Sequence, residues 1–287
     1  MIQAPEHARS AAMITPETPI RPQFARPPLI EQAISLVFEP IEEFSIVDYG
    51  LFWETVASQL PQVTSGPPLE PPLETFDEKT PQVLSLSLRA GYELPRAMFR
   101  NDSGELVQLQ PDRFGFNWAK EGEAEYPRSE AVMARFEELF AAFTQYLDAR
   151  GLAPPKLTQC ELTNLNILPV REFGTSFSDM TNALAVDPLD LGLPFLSAET
   201  YVRNRQHRIL DSDGSPVGRL HTSILPVMSN QDGSQAFKLE LTARSAPIIK
   251  SVDDARWFFG IARNCINGAF IATVTPDMRH KWGEQHV

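Results

Sequence analysis

The sequence predicts an α+β protein of two similar halves, each an antiparallel β-meander followed by a long amphipathic helix packed on the sheet. Short segments of alternating polar and apolar residues recur along the chain and are separated by turn sequences such as NDSG and DSDGSP. Two long segments, 128–150 and 252–272, instead carry apolar residues at helical spacing. Each of them follows a group of strands, so one helix is expected to cover one face of each meander.

The order of these segments divides the 287 residues into four parts. Residues 1–28 form a proline-rich N-terminal tail, which either hangs loose or lies against the body or a partner. A first α+β half covers 29–170 and contains a proline-rich loop at 61–81, a connector covers 171–198, and a second α+β half covers 199–287. The repeated order of elements, rather than amino-acid identity between the halves, predicts an internal duplication.

The first half begins with a strand and a helix. Residues 29–38 alternate in polarity, which is typical of a strand with one face buried better than the other. Residues 48–60 carry apolar side chains at helical spacing and are followed by Pro61, which ends the helix. The loop after Pro61 contains a repeated PPLE sequence. It suits either a polyproline ligand for a partner or an extended surface loop, and we favour the loop.

Further strands of the first half surround its long helix. They are predicted at 83–89, in a hairpin at 96–110, at 112–118 and at 157–168. The helix at 128–150 begins near Pro127 or Ser129 and is followed by Gly151, a residue suited to a helix end. Its apolar stripe consists of Val132, Phe136, Leu139, Phe140, Phe143 and Leu147.

The second half repeats this order. A hairpin at 199–227 and a strand at 236–244 precede the helix at 252–272. Ser251 and Asp254 form a capping-box pattern at the start of that helix.

The C-terminal segment predicts one more short helix, over 276–282, because Thr275 followed by Pro276 suits a helix start. His280 and Glu284 lie four residues apart, but two candidate ligands are too few for a metal site. We therefore expect a structural role for this end, with Trp282 packed under the preceding helix.

The composition favours a cytoplasmic protein that does not bind nucleic acid. The formal net charge is −12 and the pI is about 4.9, whereas proteins that hold phosphate backbones usually carry the opposite charge. The N-terminus lacks the apolar core of a signal peptide. The most apolar segment, 257–274, is interrupted by Arg263, Asn264 and Asn267, so no membrane span is predicted.

No residue pattern predicts a catalytic, metal or cofactor site. Cys160 and Cys265 are far apart and lack a CxxC or Cys/His cluster, so we expect reduced cysteines and no zinc. The chain has no GxSxG, P-loop, post-strand GxGxxG or HExxH motif. An acid/base enzyme assembled from carboxylates distant in sequence stays open.

The strand at 112–118 provides the first candidate binding residues. Arg113 and Asn117 share one of its faces, and Gly115 between them leaves room for a ligand or another backbone to approach. The opposite face is an aromatic row that suits either base stacking or a hydrophobic core, and we favour the core. The row consists of Phe114, Phe116 and Trp118.

The strand at 157–168 carries Glu161, Asn164 and Asn166 among residues suited to the interior. Buried amides and carboxylates need hydrogen-bond partners. These three either form an internal polar network or line a cleft, and the sequence leaves both alternatives open.

The densest basic run of the chain is RNRQHR, at 203–208. Arg203, Arg205 and His207 lie on one face of the predicted strand and Arg208 lies on the other. The run suits contact with an anion or an acidic partner, or a solvated sheet face. Polar residues on both faces favour an edge strand.

Four segments in this order resemble a sporadically distributed family of uncharacterised prokaryotic proteins of similar length. They are PLIEQAISLVF, QPDRFGFNW followed by YPRSE, CELTNLNI, and FFGIARNCINGAFIATVTPDMRHKWG, and the resemblance extends from about residue 27 to 284. Members of that family usually have an aromatic residue where this chain has Leu165. The resemblance implies an accessory gene of patchy occurrence, as in defence, immunity or toxin-neutralising loci, and no activity.

Two functional hypotheses follow. The first is a non-catalytic protein-binding module with an unidentified protein partner, using an exposed sheet edge or groove. The second is a small-ligand binder or enzyme with a polar cleft between the halves, and its candidate residues are Arg113, Asn117, Glu161, Asn164 and Asn166. If these five converge on one pocket, the second hypothesis gains support. If they disperse and a basic edge is unpaired, the first one does.

Overall fold

The computed structural model describes residues 19–70, 74, 76, 94–122, 125–186, 193, 195–196, 198–229 and 232–285 of the chain. The strand predicted at 83–89 lies outside these residues, as do residues 1–18 of the predicted tail.

Eleven strands occur in the described residues. They are β1 (Gln23–Phe24), β2 (Leu29–Phe38), β3 (Gln62–Gly66), β4 (Arg96–Arg100), β5 (Glu105–Gln110), β6 (Arg113–Ala119), β7 (Leu157–Pro169), β8 (Arg203–Leu210), β9 (Pro216–Met228), β10 (Gln235–Ser245) and β11 (Glu284–Gln285). Nine of these form one sheet in the order β3-β4-β5-β6-β2-β7-β10-β9-β8. Every neighbouring pair in it is antiparallel, which confirms the prediction of an α+β protein with antiparallel sheet.

The centre of the sheet is the antiparallel pair β2 and β7. On its other side β2 pairs with β6, the last strand before the first long helix. In the same way β7 pairs with β10, the last strand before the second long helix. The chain therefore returns to the middle of the sheet before it forms each long helix.

Four α-helices lie in the described residues: α1 (Ile46–Val56), α2 (Ser129–Ala149), α3 (Val252–Thr273) and α4 (Pro276–Lys281). Two short 3₁₀ helices, Val170–Glu172 and Phe177–Asn182, follow β7. The start of α3 has the predicted capping box, in which the Ser251 side chain accepts a hydrogen bond from the backbone of Asp254. None of the described helices is both long and apolar enough to cross a membrane.

One face of the sheet is covered by helices. Helix α2 contacts β2 and β6, and α3 contacts β7, β9 and β10. The aromatic row of β6 points into this layer and is buried there, which confirms the expectation that it belongs to the core. The ring of Phe114 packs against Phe136, Phe140 and Phe143 of α2 with centroid distances of 5.4–6.1 Å.

A buried carboxylate connects α1 to α2. Asp48 accepts hydrogen bonds from the backbone and side chain of Ser45 at 2.8 and 2.7 Å and from the hydroxyl of Tyr146 at 2.7 Å. Arg150 adds an ion pair at 3.4 Å. Burial by itself would raise the pKa of Asp48, but the hydrogen bonds from Ser45 and Tyr146 outweigh it, so the pKa lies below its ordinary value.

We expect Asp48→Ala to lower the free energy of unfolding by about 1–3 kcal/mol, because it leaves the buried hydroxyl of Tyr146 and the Ser45 amide without an acceptor. Urea denaturation measures the loss. Glu54→Ala, an exposed position on the same helix, serves as the control and should change the value little. Equal losses in the two variants would contradict this role for Asp48.

One connecting region differs from its sequence description, and the described part of the tail follows one of its two alternatives. The proline-rich loop predicted at 61–81 begins with β3, which pairs with β4 and so extends the hairpin of β4 and β5. Residues 19–28 of the predicted tail lie against the body. Asn267 donates a hydrogen bond to the carbonyl of Ile20 at 2.6 Å, and β1 pairs with β11.

The C-terminal segment is structural, as expected. The side chain of Thr275 caps α4 by accepting from the backbone of Met278. Trp282 is buried, its ring centroid lies 5.9 Å from that of Phe270 in α3, and its indole N–H donates to Glu172. Glu284 accepts from Arg279 at 2.8 Å, while the side chain of His280 is exposed.

Candidate functional site

The predicted binding residues lie in three separate places. Successive side chains of a strand point to opposite faces, so Glu161 lies on the face opposite to Asn164 and Asn166. Phe114 and Phe116 point to the helices, so Arg113 and Asn117 lie on the opposite face of the sheet, together with Glu161. None of the described helices covers this face, and we call it the helix-free face. The basic run lies on β8, at one end of the sheet. The five cleft candidates therefore do not converge.

On the helix-free face, Glu161 belongs to an ion cluster, a group of acidic and basic side chains that pair with one another. Arg244 of β10 donates to Glu161 at 2.6 Å and to Glu74 at 3.0 Å. Glu74 is fully buried and also contacts Arg219 and His221 of β9. The His221 Nε2 atom lies 2.8 Å from the carboxylate. Four strand residues and one loop residue thus form a connected set of ion pairs.

Glu74 belongs to a segment that crosses the helix-free face, and we call residues 69–76 of it, as far as they are described, the crossing segment. The backbone of Leu69 exchanges two hydrogen bonds with the side chain of Gln110. The carbonyl of Glu70 accepts from Arg113 at 3.3 Å. The ring of Phe76 lies 4.7 Å from the guanidinium carbon of Arg219, a cation–π contact. The segment therefore runs over the sheet from β5 to β9.

The basic side chains around Glu74 lower the pKa of its carboxyl group. Burial by itself would raise the pKa of this carboxyl. The hydrogen bond from His221 and the charges of His221, Arg219 and Arg244 outweigh that effect, so its pKa lies below the ordinary glutamate value. Glu74 is therefore an anion that pairs with Arg219 and, together with Glu161, with Arg244.

Asn117 also has internal partners. Its amide nitrogen donates to Glu31 of β2, and its oxygen accepts from Gln108 of β5 at 2.7 Å. Arg113 is buried beside them, and burial lowers the pKa of its guanidinium. On this face Glu161 has partners within the chain, as the internal-network alternative expects, and Arg113 and Asn117 have partners within the chain as well.

Asn164 and Asn166 line a cavity of about 1040 Å³ on the helix side. Its walls come from β2 and the start of α2 as well as from β7, β10 and α3. At its floor, the buried amide of Gln32 donates to Asn164 at 2.9 Å and accepts from the hydroxyl of Tyr126 at 3.1 Å. Residues 21–28 close another side.

Arg203, Arg205 and His207 lie on an edge strand. β8 pairs with β9 on one side, and no other strand of the described residues pairs with its outer side. Residues 204–208 are all exposed. In the described part of the chain no carboxylate lies within ion-pair distance of Arg203, Arg205 or Arg208. The edge position confirms the expectation for this strand.

The ion cluster and most residues of the cavity wall were not predicted from the sequence. Arg219 and His221 in β9 and Arg244 in β10 alternate with apolar residues such as Leu220, Leu241 and Ala243, and this was the available signal for buried charges. Nothing local distinguishes Glu74 from the other glutamates of its proline-rich loop. The cationic residues of the cavity come from three distant segments and become neighbours only in the fold.

No group of three or more His, Cys, Asp or Glu side chains suited to a metal occurs among the described residues. No protein-family model matches the chain, and no curated protein or solved structure shows significant similarity to it. The fold and sites thus define an antiparallel α+β protein with a basic sheet edge and a polar cavity, and the family resemblance stays a prediction.

Proposed function

We propose that this chain is a non-catalytic protein-binding module whose basic edge, the outer side of β8, adds an acidic, extended segment of a partner protein to the sheet. The observation that carries the proposal is the combination of an exposed edge strand with arginines that have no carboxylate partner among the described residues. An extended peptide gains main-chain hydrogen bonds at such an edge, and its side chains determine specificity.

Charge selects the kind of partner. β8 contains three arginines and one histidine and no acidic residue, in a chain whose net charge is −12. Two copies of this strand would repel each other when paired, so the charges disfavour self-association through the basic edge. An acidic segment instead meets complementary charge along the whole strand.

Apolar side chains at both ends of the basic edge add contact area. Val202 precedes β8 and is 56% exposed, and Leu210 at its end is 43% exposed. A partner segment with acidic residues at its centre and apolar residues at its ends fits this arrangement, because burying both side chains removes apolar surface from water.

The proposal also covers the evolutionary origin of the fold and the genetic locus to which the protein belongs. The equivalent places of β2 and β7 in the sheet, with β2 beside the last strand before α2 and β7 beside the last strand before α3, support an internal duplication of two similar halves. We place the protein in the sporadically distributed family named above, as a cytoplasmic accessory component of a defence, immunity or toxin-neutralising locus. The sequence resemblance supports this setting.

A second candidate function is that of a small-ligand binder or an enzyme. The cavity between the halves favours it, since ligand sites commonly lie in such clefts.

The partner proposal is tested by affinity capture from the native host with quantitative mass spectrometry. We expect wild-type protein to retain one protein in stoichiometric amount. The double variant Arg205→Glu and Arg208→Glu should retain it at least about tenfold less well, equivalent to about 1.4 kcal/mol. In the complex, backbone amides of 203–210 should exchange hydrogen more slowly.

A matched control carries the same change in net charge elsewhere. Arg171 and Lys250 are exposed and lie outside β8, and the variant with both changed to Glu should retain the partner like the wild type. If both double variants lost partner retention equally, the loss would come from the change in net charge and not from the position of the arginines on β8. Retention unaffected by the β8 changes, or no stoichiometric protein at all, would refute the basic edge as the binding site.

A further inference from the structure

We propose that the cavity between the halves binds a phosphate-bearing small molecule of about nucleotide size. This inference rests on the second candidate function and is independent of partner binding at β8, so either can fail alone. The cavity encloses about 1040 Å³, at the upper end of the roughly 300–1,000 Å³ typical of small-molecule sites.

The cavity wall is cationic in an acidic protein. Two acidic residues, Glu125 and Glu130, line it, and Glu130 already pairs with one of its arginines at 2.7 Å. Five cationic residues line it: Arg21, Arg26, Lys120, Arg128 and Arg263. This excess opposes the net charge of −12 for the whole chain. The wall therefore attracts an anion, and a multiply charged one most strongly.

Two of the cationic residues are available to a ligand. In the described part of the chain, no carboxylate lies within ion-pair distance of Lys120 or Arg128. Both side chains are exposed at the wall. Arginine donates paired hydrogen bonds that match the oxygens of a phosphate group, and lysine adds a point charge.

The start of α2 lies beside these two residues. The 21-residue helix begins at Ser129, and no side chain caps its N-terminus. Arg128, in the capping position, has a φ of 70°, and no other described non-glycine residue has a positive φ. The first backbone N–H groups of a helix and its dipole favour a phosphate oxygen. Here they add to a cavity that is already cationic.

The floor of the cavity suits an uncharged, hydrogen-bonding part of the same ligand. Gln32 and Asn166 are buried there, and the Nδ2 group of Asn164 donates no hydrogen bond within the described residues. Tyr126, Phe24 and Phe270 add aromatic surface to the wall. Amides beside aromatic rings at the floor, with cations at the wall, match a molecule with a planar polar group at one end and phosphates at the other.

Isothermal titration calorimetry of the full chain tests this, with inorganic pyrophosphate and ATP as probes and with adenosine and citrate for comparison. We expect both phosphate probes to bind the wild type and to bind the double variant Lys120→Gln and Arg128→Gln at least about tenfold more weakly, because charge-assisted hydrogen bonds are lost. Since both side chains are exposed, the variant should keep the wild-type circular dichroism spectrum.

The double variant Arg171→Gln and Lys250→Gln, which removes two exposed charges outside the cavity wall, is the control and should bind the probes like the wild type. Absence of binding by both phosphate probes, or equal affinity in the double variant, would overturn the proposal. Citrate binding as tight as pyrophosphate binding would overturn the phosphate class. Binding of adenosine with the affinity of ATP would likewise overturn it, while leaving a small-ligand function in place.

Discussion

Replacing Phe143 by alanine is expected to lower the free energy of unfolding by about 3–5 kcal/mol, the range for removing a large aromatic side chain from a packed core. Phe143 is fully buried, and its ring contacts those of five phenylalanines at centroid distances of 5.4–6.4 Å. These five come from α1, α2, β2, β6 and the β2–α1 connection, and they are Phe38, Phe44, Phe52, Phe114 and Phe140. One truncation therefore weakens the contacts of α2 with α1, β2 and β6.

Phe195→Ala is the matched control, because the same change is made at a side chain that is 78% exposed. It should stay within about 0.5 kcal/mol of the wild type. Chemical denaturation of the three proteins gives the comparison. A loss for Phe143→Ala no larger than that for Phe195→Ala would show that the aromatic cluster does not stabilise the packing of α1 and α2 on the sheet.

The architecture was largely predictable because the relevant signals are local. Alternation in polarity located β2, β5, β6 and β10, and helical spacing located α2 and α3 to within one or two residues. The sequence order of a strand does not reveal its neighbours, however. That β7 lies beside β2 in the middle of the sheet depends on long-range pairing, which no local pattern expresses.

The sites were predictable only where one strand carries the whole signal. The basic run of β8 was found because its residues are consecutive and lie at an edge. Glu161 and Asn164 were placed together because they are close in sequence, yet an odd spacing along a strand sends them to opposite faces. Glu74 lies in the same ion cluster as Glu161, and Arg128 lines the same cavity as Asn164. Both residues come from other segments and could not be inferred from the strand itself.

The ion cluster on the helix-free face leads to a second prediction of large effect. Glu74→Gln removes a buried negative charge that neutralises Arg219 and Arg244. Removing one partner of a buried ion pair leaves the other charge uncompensated and typically costs about 3–5 kcal/mol. We expect a loss of that size in urea denaturation at neutral pH. Glu70→Ala, an exposed change on the same crossing segment, should cost little.

The pH dependence distinguishes a charge effect from a packing effect. The pKa of Glu74 is lowered in the folded state, so its stabilising contribution is complete above the ordinary glutamate value of 4.5 and is lost as the pH falls through the lower, folded-state pKa. The difference in unfolding free energy between wild type and Glu74→Gln should therefore shrink on acidification below 4.5. If the cluster acted only by shape, the difference would persist at low pH, since protonated glutamate and glutamine are both neutral and similar in size.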